Sequence, residues 1–428
     1  MVGKLLKGLV PAPLRRPISR GALFLLPLVR RRLTRSWRKS NRLKRRVIRM
    51  RKRLKLRVTR VRNRLNRLRR KQLRPIWLHT RLLIWRLRRP KRTVETSNEI
   101  HLINPLKNAA GGADLRTLHL YNELKEYAEV SLWSGHEVPP EIAERYPVKR
   151  IVPERFEFPK TGTFVFVGAR PSTRIGPWIR YASPRRTILV HNSDIAPWKF
   201  RNRLRHISNG GRRKVEVAYA SELTKRSAGN HPGYVQASLI DVDRFVPAPT
   251  KEQPSDSPST DFTVGRLSRA DTFKHHPDDP ALYRRLVDRG CRIRIMGPSP
   301  SLEAQLGGID LVTLMPTYAR EPHLFLQGLD CFFYRTSEEF LEPSGRVVTE
   351  AMACGLPVVC HNRGGYVEWI DDGRNGFLFE TQQEALQILL LLKEDPALRE
   401  RVGKEARRTA EELFSDAVRS EIVEFYLR

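Results

Sequence analysis

Glu342 and Glu350 frame the segment Glu342-Pro343-Ser344-Gly345-Arg346-Val347-Val348-Thr349-Glu350. A helix opening near Gly345 leaves Glu342 in the loop before it. Glu350 then falls about one and a half turns inside, at ~3.6 residues per turn. The free N–H groups at such a helix start, near Gly345 and Arg346, can face an anion such as a diphosphate. Glycine allows close backbone approach, and a carboxylate deeper in the helix can accept two hydrogen bonds from a ribose diol. The same spacing, taken alone, also describes an ordinary surface helix carrying two solvated acids.

The elements that would position this segment alternate strand and helix. Strands are predicted at Ile100–Ile103, Val130–Trp133, Thr163–Val167, Thr187–Val190, Val215–Tyr219 and Tyr234–Ser238. The stretch 247–260 is a Pro-rich linker, with Pro247, Pro249, Pro254 and Pro258 among Ser, Thr and Asp. After it the alternation restarts, with strands predicted at Phe262–Gly265, Arg292–Met296, Leu311–Leu314, Cys331–Tyr334 and Pro357–Cys360. Short β-rich runs separated by helices imply βαβ units on a parallel sheet. The fold class is therefore α/β: two Rossmann-like domains, 97–246 and 261–410, facing a cleft. Ligands in such sheets bind at the C-terminal ends of the strands. A C-terminal helical stretch, 411–428, with a break near Phe414, is expected to pack back on the first domain.

The segment from Glu342, with its continuation Gly355-Leu356-Pro357-Val358-Val359, resembles the signature of the retaining group 1 glycosyltransferases (glycosyltransferase family four, GT-B fold). Gly364-Gly365 with Glu368, and Asp372-Gly373-Arg374-Asn375-Gly376-Phe377-Leu378, are similar to the next stretch of that pattern. Asp243-Arg244-Phe245 resembles its end-of-first-domain motif, Gly111-Gly112 its first glycine-rich loop, and Ala220-Ser221-Glu222 its mid-domain Ser motif. Val264-Gly265-Arg266-Leu267-Ser268-Arg269, with Lys274 downstream, is similar to the family's diphosphate-binding Arg and Lys.

The resemblance implies a nucleotide-diphosphate sugar as donor and retention of anomeric configuration. It implies that Arg266 and Lys274 neutralise the leaving diphosphate, that Glu342 hydrogen-bonds the sugar, and that Glu350 holds the ribose. Gly112, Gly345 and Arg346 would complete the donor site, and the leaving phosphate would take the acceptor's proton. Arg269 is the alternative to Lys274. His191, directly after the strand Thr187–Val190, matches a family His that reaches the donor sugar; packing or capping at the strand end is the competing reading. Asp194 and Trp198 are acceptor-side candidates by position. No metal or other cofactor is expected, since the one Asp-x-Asp, Asp241-Val242-Asp243, belongs to the Asp-Arg-Phe motif. An epimerase or phosphorylase on the same fold has no supporting cofactor-lysine pattern.

Charge divides the chain sharply. The net charge of +35 lies entirely in Met1–Val94, which holds 27 Arg and 8 Lys with no Asp or Glu. In this arm, 1–96, the residues Leu43, Val47, Met50, Leu54, Val58, Val61, Leu65 and Leu68 form one apolar helical stripe, which Pro75 ends. A second basic apolar cluster runs from Ile76 to Leu87 and contains Trp77 and Trp85. An apolar stripe among arginines with flanking Trp fits an interfacial helix on anionic lipid. Nucleic-acid binding, with an inactive glycosyltransferase-like body, is the alternative. Self-association, disorder and a start at Met50 are further readings of the arm. The longest apolar run near the N-terminus, Ala22–Val29, falls short of a span, and no secretory cleavage pattern follows it. The four cysteines form no frame, so a cytoplasmic location at the inner membrane face is expected. Partners are then a nucleotide sugar, a glycan or lipid-linked acceptor, and an anionic membrane surface, in cell-surface polysaccharide synthesis.

Overall fold

Apart from Thr59, the computed structural model describes residues 74–88, 98–108, 111–168, 176–249 and 262–428. The stripe Leu43–Leu68 and most of the Pro-rich linker lie outside the described residues.

The first sheet contains β1 (Ile100–Ile103), β2 (Val130–Ser134), β3 (Val148–Arg150), β4 (Thr163–Val167), β5 (Arg186–His191), β6 (Glu216–Tyr219) and β7 (Tyr234–Val235). Their order is β3-β2-β1-β4-β5-β6-β7, and every pairing is parallel. The second sheet contains β8 (Phe262–Leu267), β9 (Cys291–Met296), β10 (Val312–Met315), β11 (Cys331–Tyr334), β12 (Val358–His361) and β13 (Phe377–Phe379), ordered β10-β9-β8-β11-β12-β13. Both sheets are doubly wound, with helices burying both faces of the central strands. Thr163–Val167 and Cys331–Tyr334 are accordingly buried at every position. In each sheet the winding reverses direction between the first and fourth strands, which opens a crevice beyond their C-terminal ends.

Two helices lock the halves together. The helix Pro396–Leu413 lies so close to the helix Arg346–Ala353 that a Cβ on Gly403 would stand 2.3 Å from the Gly355 carbonyl oxygen. From it, Arg407 donates to the carbonyls of Phe245 (2.6 Å) and Ala353 (2.7 Å). The chain breaks at Phe414, and the helix Asp416–Leu427 returns to the first domain. There Arg186 donates to the Phe425 carbonyl (2.6 Å), Gln236 to the Tyr426 hydroxyl (3.1 Å), and Arg419 pairs with Glu123 (2.9 Å).

Packing carries the first domain back beyond the border expected at residue 97. Pro75 sits in the first turn of the helix Arg74–Arg88, where its missing N–H is not needed. Leu78 and Leu82 of that helix are buried in one cluster with Phe158, Phe164 and Trp178, and Trp85 stacks on Phe156 at 5.6 Å. The i, i+4 spacing of Leu78 and Leu82 puts both on the inner face, so this part of the basic arm is core. The outer face leaves Leu83, Ile84 and Leu87 exposed.

Candidate active site

The crevice between the two domains has two recesses of about 880 and 850 Å³. They meet at Gly112, Arg269, Lys274, Glu342, Gly345 and Arg346, which line both.

Gly345 is the N-cap of the helix Arg346–Ala353 and has φ 66°. A Cβ there would lie 2.4 Å from the Tyr366 ring, so both the turn and the close approach require glycine. The turn puts Glu342 before the helix and Glu350 within it, as the spacing predicts, and both line the 850 Å³ recess. Glu342 accepts hydrogen bonds from the Tyr334 hydroxyl (2.7 Å) and from Lys274 Nζ. Burial alone would raise the Glu342 carboxyl, but the Lys274 ammonium, the Tyr334 hydroxyl and the Gly345 N–H together hold it below the usual range. Lys274 Nζ also lies over the Phe340 ring, 4.5 Å from its centroid. An ammonium has three donors, so Lys274 can hold Glu342 and still reach a phosphate oxygen in the cleft.

Glu350 Oε1 accepts from Arg346 Nε at 2.7 Å. The same guanidinium bridges to the first domain, donating from NH2 to His119 Nε2 at 3.1 Å. Burial, and secondarily Arg346, lower the His119 pKa to about 3, so the ring is a neutral acceptor at physiological pH. Elsewhere across the crevice, Ser221 Oγ donates to the Pro343 carbonyl at 2.5 Å. Glu368 accepts from the Glu222 and Leu223 N–H groups (2.8 and 2.7 Å), capping the start of the first-domain helix Glu222–Ser227.

Two predicted residues are not brought to the cleft. Arg266 has no exposed surface and lines neither recess. It lies under the site, donating to the Lys274 carbonyl, pairing with Asp279 at 3.7 Å, and covering the Tyr334 ring at 4.9 Å. In this geometry it holds the Lys274 backbone, while Arg269 and Lys274 line both recesses. Arg266→Ala should therefore act first on folding. It leaves the wholly buried Asp279 with the His276 N–H at 3.3 Å and Arg335 at 4.0 Å, at a cost near the low end of the ~3–5 kcal/mol for breaking a buried pair. A thermal melt checks this; an unchanged Tm with lost turnover would place Arg266 on substrate instead.

His191 is likewise wholly buried and lines neither recess. Its Nδ1 meets Arg203 NH1 at 3.2 Å, and its ring packs edge-on against Phe200 at 4.8 Å. Burial, then Arg203 and Arg116, lower its pKa to about 3. Packing at the strand end is what the geometry shows. The next residues, Asn192 to Ile195, reach the cleft, as does Trp198.

The sequence reading missed Tyr334, His119, Arg116, Lys199 and Arg203. Arg116 had a signal. It shares the inner face of the helix Gly112–Leu124 with Thr117, Leu120 and Leu124, all buried. An arginine on the core stripe of an amphipathic helix needs a reason.

With two glutamates, a cation and a helix start converging on one crevice, comparison with known proteins becomes specific. Residues 295–409 match the family of glycosyl transferases group 1. The matched segment holds Glu342, Gly345, Arg346 and Glu350. Spore coat protein SA of Bacillus subtilis is 42% identical over 81 residues, covering 18% of this chain and 22% of that protein. A D-inositol 3-phosphate glycosyltransferase of Thermomonospora curvata is 32% identical over 166 residues, covering 35% of this chain and 36% of the relative. The matches to these two relatives thus span well under two thirds of their length. Among solved structures, the Anabaena protein HepE, in complex with UDP and glucose, aligns with a TM-score of 0.60 at 17% identity, over 76% of this chain and 98% of that one. WaaG, a glycosyltransferase involved in lipopolysaccharide biosynthesis, aligns with a TM-score of 0.54 at 13% identity, over 76% and 99%. The two doubly wound domains are the GT-B fold.

Proposed function

We propose that this protein is a retaining glycosyltransferase that moves a sugar from a nucleotide-diphosphate sugar to a glycan or lipid-linked acceptor, in cell-surface polysaccharide synthesis. One observation carries the reading: Glu342 and Glu350 flank a helix start on an interdomain crevice, with Lys274 held against Glu342. Glu350 takes the ribose, and the N-terminal end of the helix Arg346–Ala353 faces the diphosphate. Lys274, Arg269 and Arg346 oppose the charge that grows on the leaving group. Glu342 hydrogen-bonds the sugar, and the leaving phosphate takes the acceptor's proton, with no metal or further cofactor. HepE, with the same fold, was solved with UDP and glucose, which supports a uridine donor as the first to try.

The membrane half of the proposal rests on the basic arm and on the exposed Leu83, Ile84 and Leu87 of the helix Arg74–Arg88, which are interleaved with Arg81, Arg86 and Arg88. Such a face suits the anionic inner leaflet. A donor screen scored by nucleotide release, run on the full chain with and without anionic vesicles, tests both halves. One donor should be consumed, and the protein should sediment with the vesicles, less so after Leu54→Asp with Val61→Asp. If no donor is turned over under any condition, the enzyme reading fails. If the chain ignores vesicles but binds RNA at physiological salt, the membrane reading fails.

A further inference from the structure

We propose that the first-domain wall of the 880 Å³ recess is a binding site for an anionic group, a phosphate or carboxylate, carried by the acceptor, with Arg116 at its centre. Calling the bound molecule the acceptor rests on the glycosyltransferase reading; the anion site itself does not.

Arg116 is only 2% exposed, yet it lines the recess. Its NH2 donates to the Gln236 carbonyl at 3.3 Å, while Nε and NH1 have no hydrogen-bond partner. Among the described residues no carboxylate is paired with it. Folding tolerates a buried guanidinium when a carboxylate or a full set of acceptors compensates it. Among the described residues Arg116 has one carbonyl acceptor. Nε and NH1 are buried atoms on opposite edges of the planar guanidinium, which lines the recess, and each is a donor that a phosphate or carboxylate oxygen could take.

The surroundings add charge of the same sign. Arg203 and Lys199, from the helix Pro197–Ile207, line the same recess. His191, in contact with Arg203, is neutral and offsets neither guanidinium. Of the two carboxylates on the recess wall, Glu342 is already held by Lys274, which leaves the exposed Asp194. The cluster comes from the first domain and the helix Arg346–Ala353 from the second, and both line this recess, so the proposal gives the donor diphosphate to the helix start and the second anion to the cluster. Its anion would belong to a second molecule, either a soluble phosphate ester or the phosphodiester of a lipid headgroup.

The test uses the full chain. UDP is titrated first, so that the donor reading stands or falls on its own curve. Glycerol 3-phosphate and monomeric dihexanoyl phosphatidylglycerol are then titrated with and without UDP, with glycerol as the uncharged control. At least one phosphate probe should bind and glycerol should not; the tighter probe identifies the source of the anion. Arg116→Met should weaken that probe by about tenfold or more, the loss expected for a charge-assisted contact. Lys199→Ala, an exposed position that does not threaten folding, should weaken it by a smaller factor. Arg116→Lys, which keeps the charge without the planar guanidinium, should fall between wild type and Arg116→Met. If Arg116→Met does not fold, the other two variants decide. The proposal is overturned if neither phosphate probe binds the wild type, or if the folded variants bind it as the wild type does. Failure of UDP alone, with the phosphate probe still bound, would overturn the donor reading and leave the anion site standing.

Discussion

Lys274→Met is expected to destabilise the protein by about 3–5 kcal/mol, because it leaves the buried Glu342 carboxylate without its cation. The pair is well shielded, with the Lys274 and Glu342 side chains 13% and 10% exposed. Its pH dependence has a definite sign. In the wild type the Glu342 carboxyl titrates below its usual range, so its contribution is present at neutral pH and is lost as pH falls through that lowered value. Without Lys274 the burial penalty dominates, the carboxyl moves up, and protonation relieves the variant. The Tm gap between wild type and Lys274→Met should therefore narrow from about pH 7 to about pH 5. Lys274→Met with Glu342→Gln should be more stable than Lys274→Met alone. A gap that widens on acidification would show that the pair does not carry this stability.

Glu342→Gln should reduce turnover on the order of 10²-fold or more, the range for losing one preorganised polar contact at the reacting centre. Nucleotide affinity should change far less, because the diphosphate and ribose contacts assigned to Lys274, Gly345 and Glu350 remain. Steady-state kinetics together with a UDP titration separate the two effects. Equal losses in both would make Glu342 a structural partner of Lys274 and remove it from the chemistry.

Much of this arrangement was legible in the sequence, for reasons that also mark the limits. Thr163–Val167 and Cys331–Tyr334 are central parallel strands, buried on both faces, so a continuous apolar run delimits them. The edge strands Val148–Arg150 and Phe377–Phe379 were missed. The first carries Lys149 and Arg150 toward solvent, and the second is three residues long. The expected strand Tyr234–Ser238 shrinks to Tyr234–Val235 at the sheet edge. Glu342, Gly345 and Glu350 could be placed because a loop-to-helix boundary fixes where each one points.

Arg266 and His191 could not be placed in that way. Each lies at or near the end of a strand buried on both faces, β8 and β5, where no polar alternation shows which face a side chain takes. For Arg266 the answer was the interior, beneath Lys274; for His191 it was the Phe200 layer. Leu78 and Leu82 were hidden differently. Their helix sits within a run of arginines, and only packing shows that its inner face is core.

The central claim is that the crevice binds a nucleoside diphosphate through Glu350 and the helix start at Gly345. Titration of UDP and GDP into the full chain and into Glu350→Ala, followed by calorimetry, tests it most directly. One nucleotide should bind the wild type, and Glu350→Ala should weaken it by roughly 1.5–3 kcal/mol, the worth of hydrogen bonds to a charged group. Equal affinity in the two proteins, or no binding of either nucleotide to the wild type, would contradict the account.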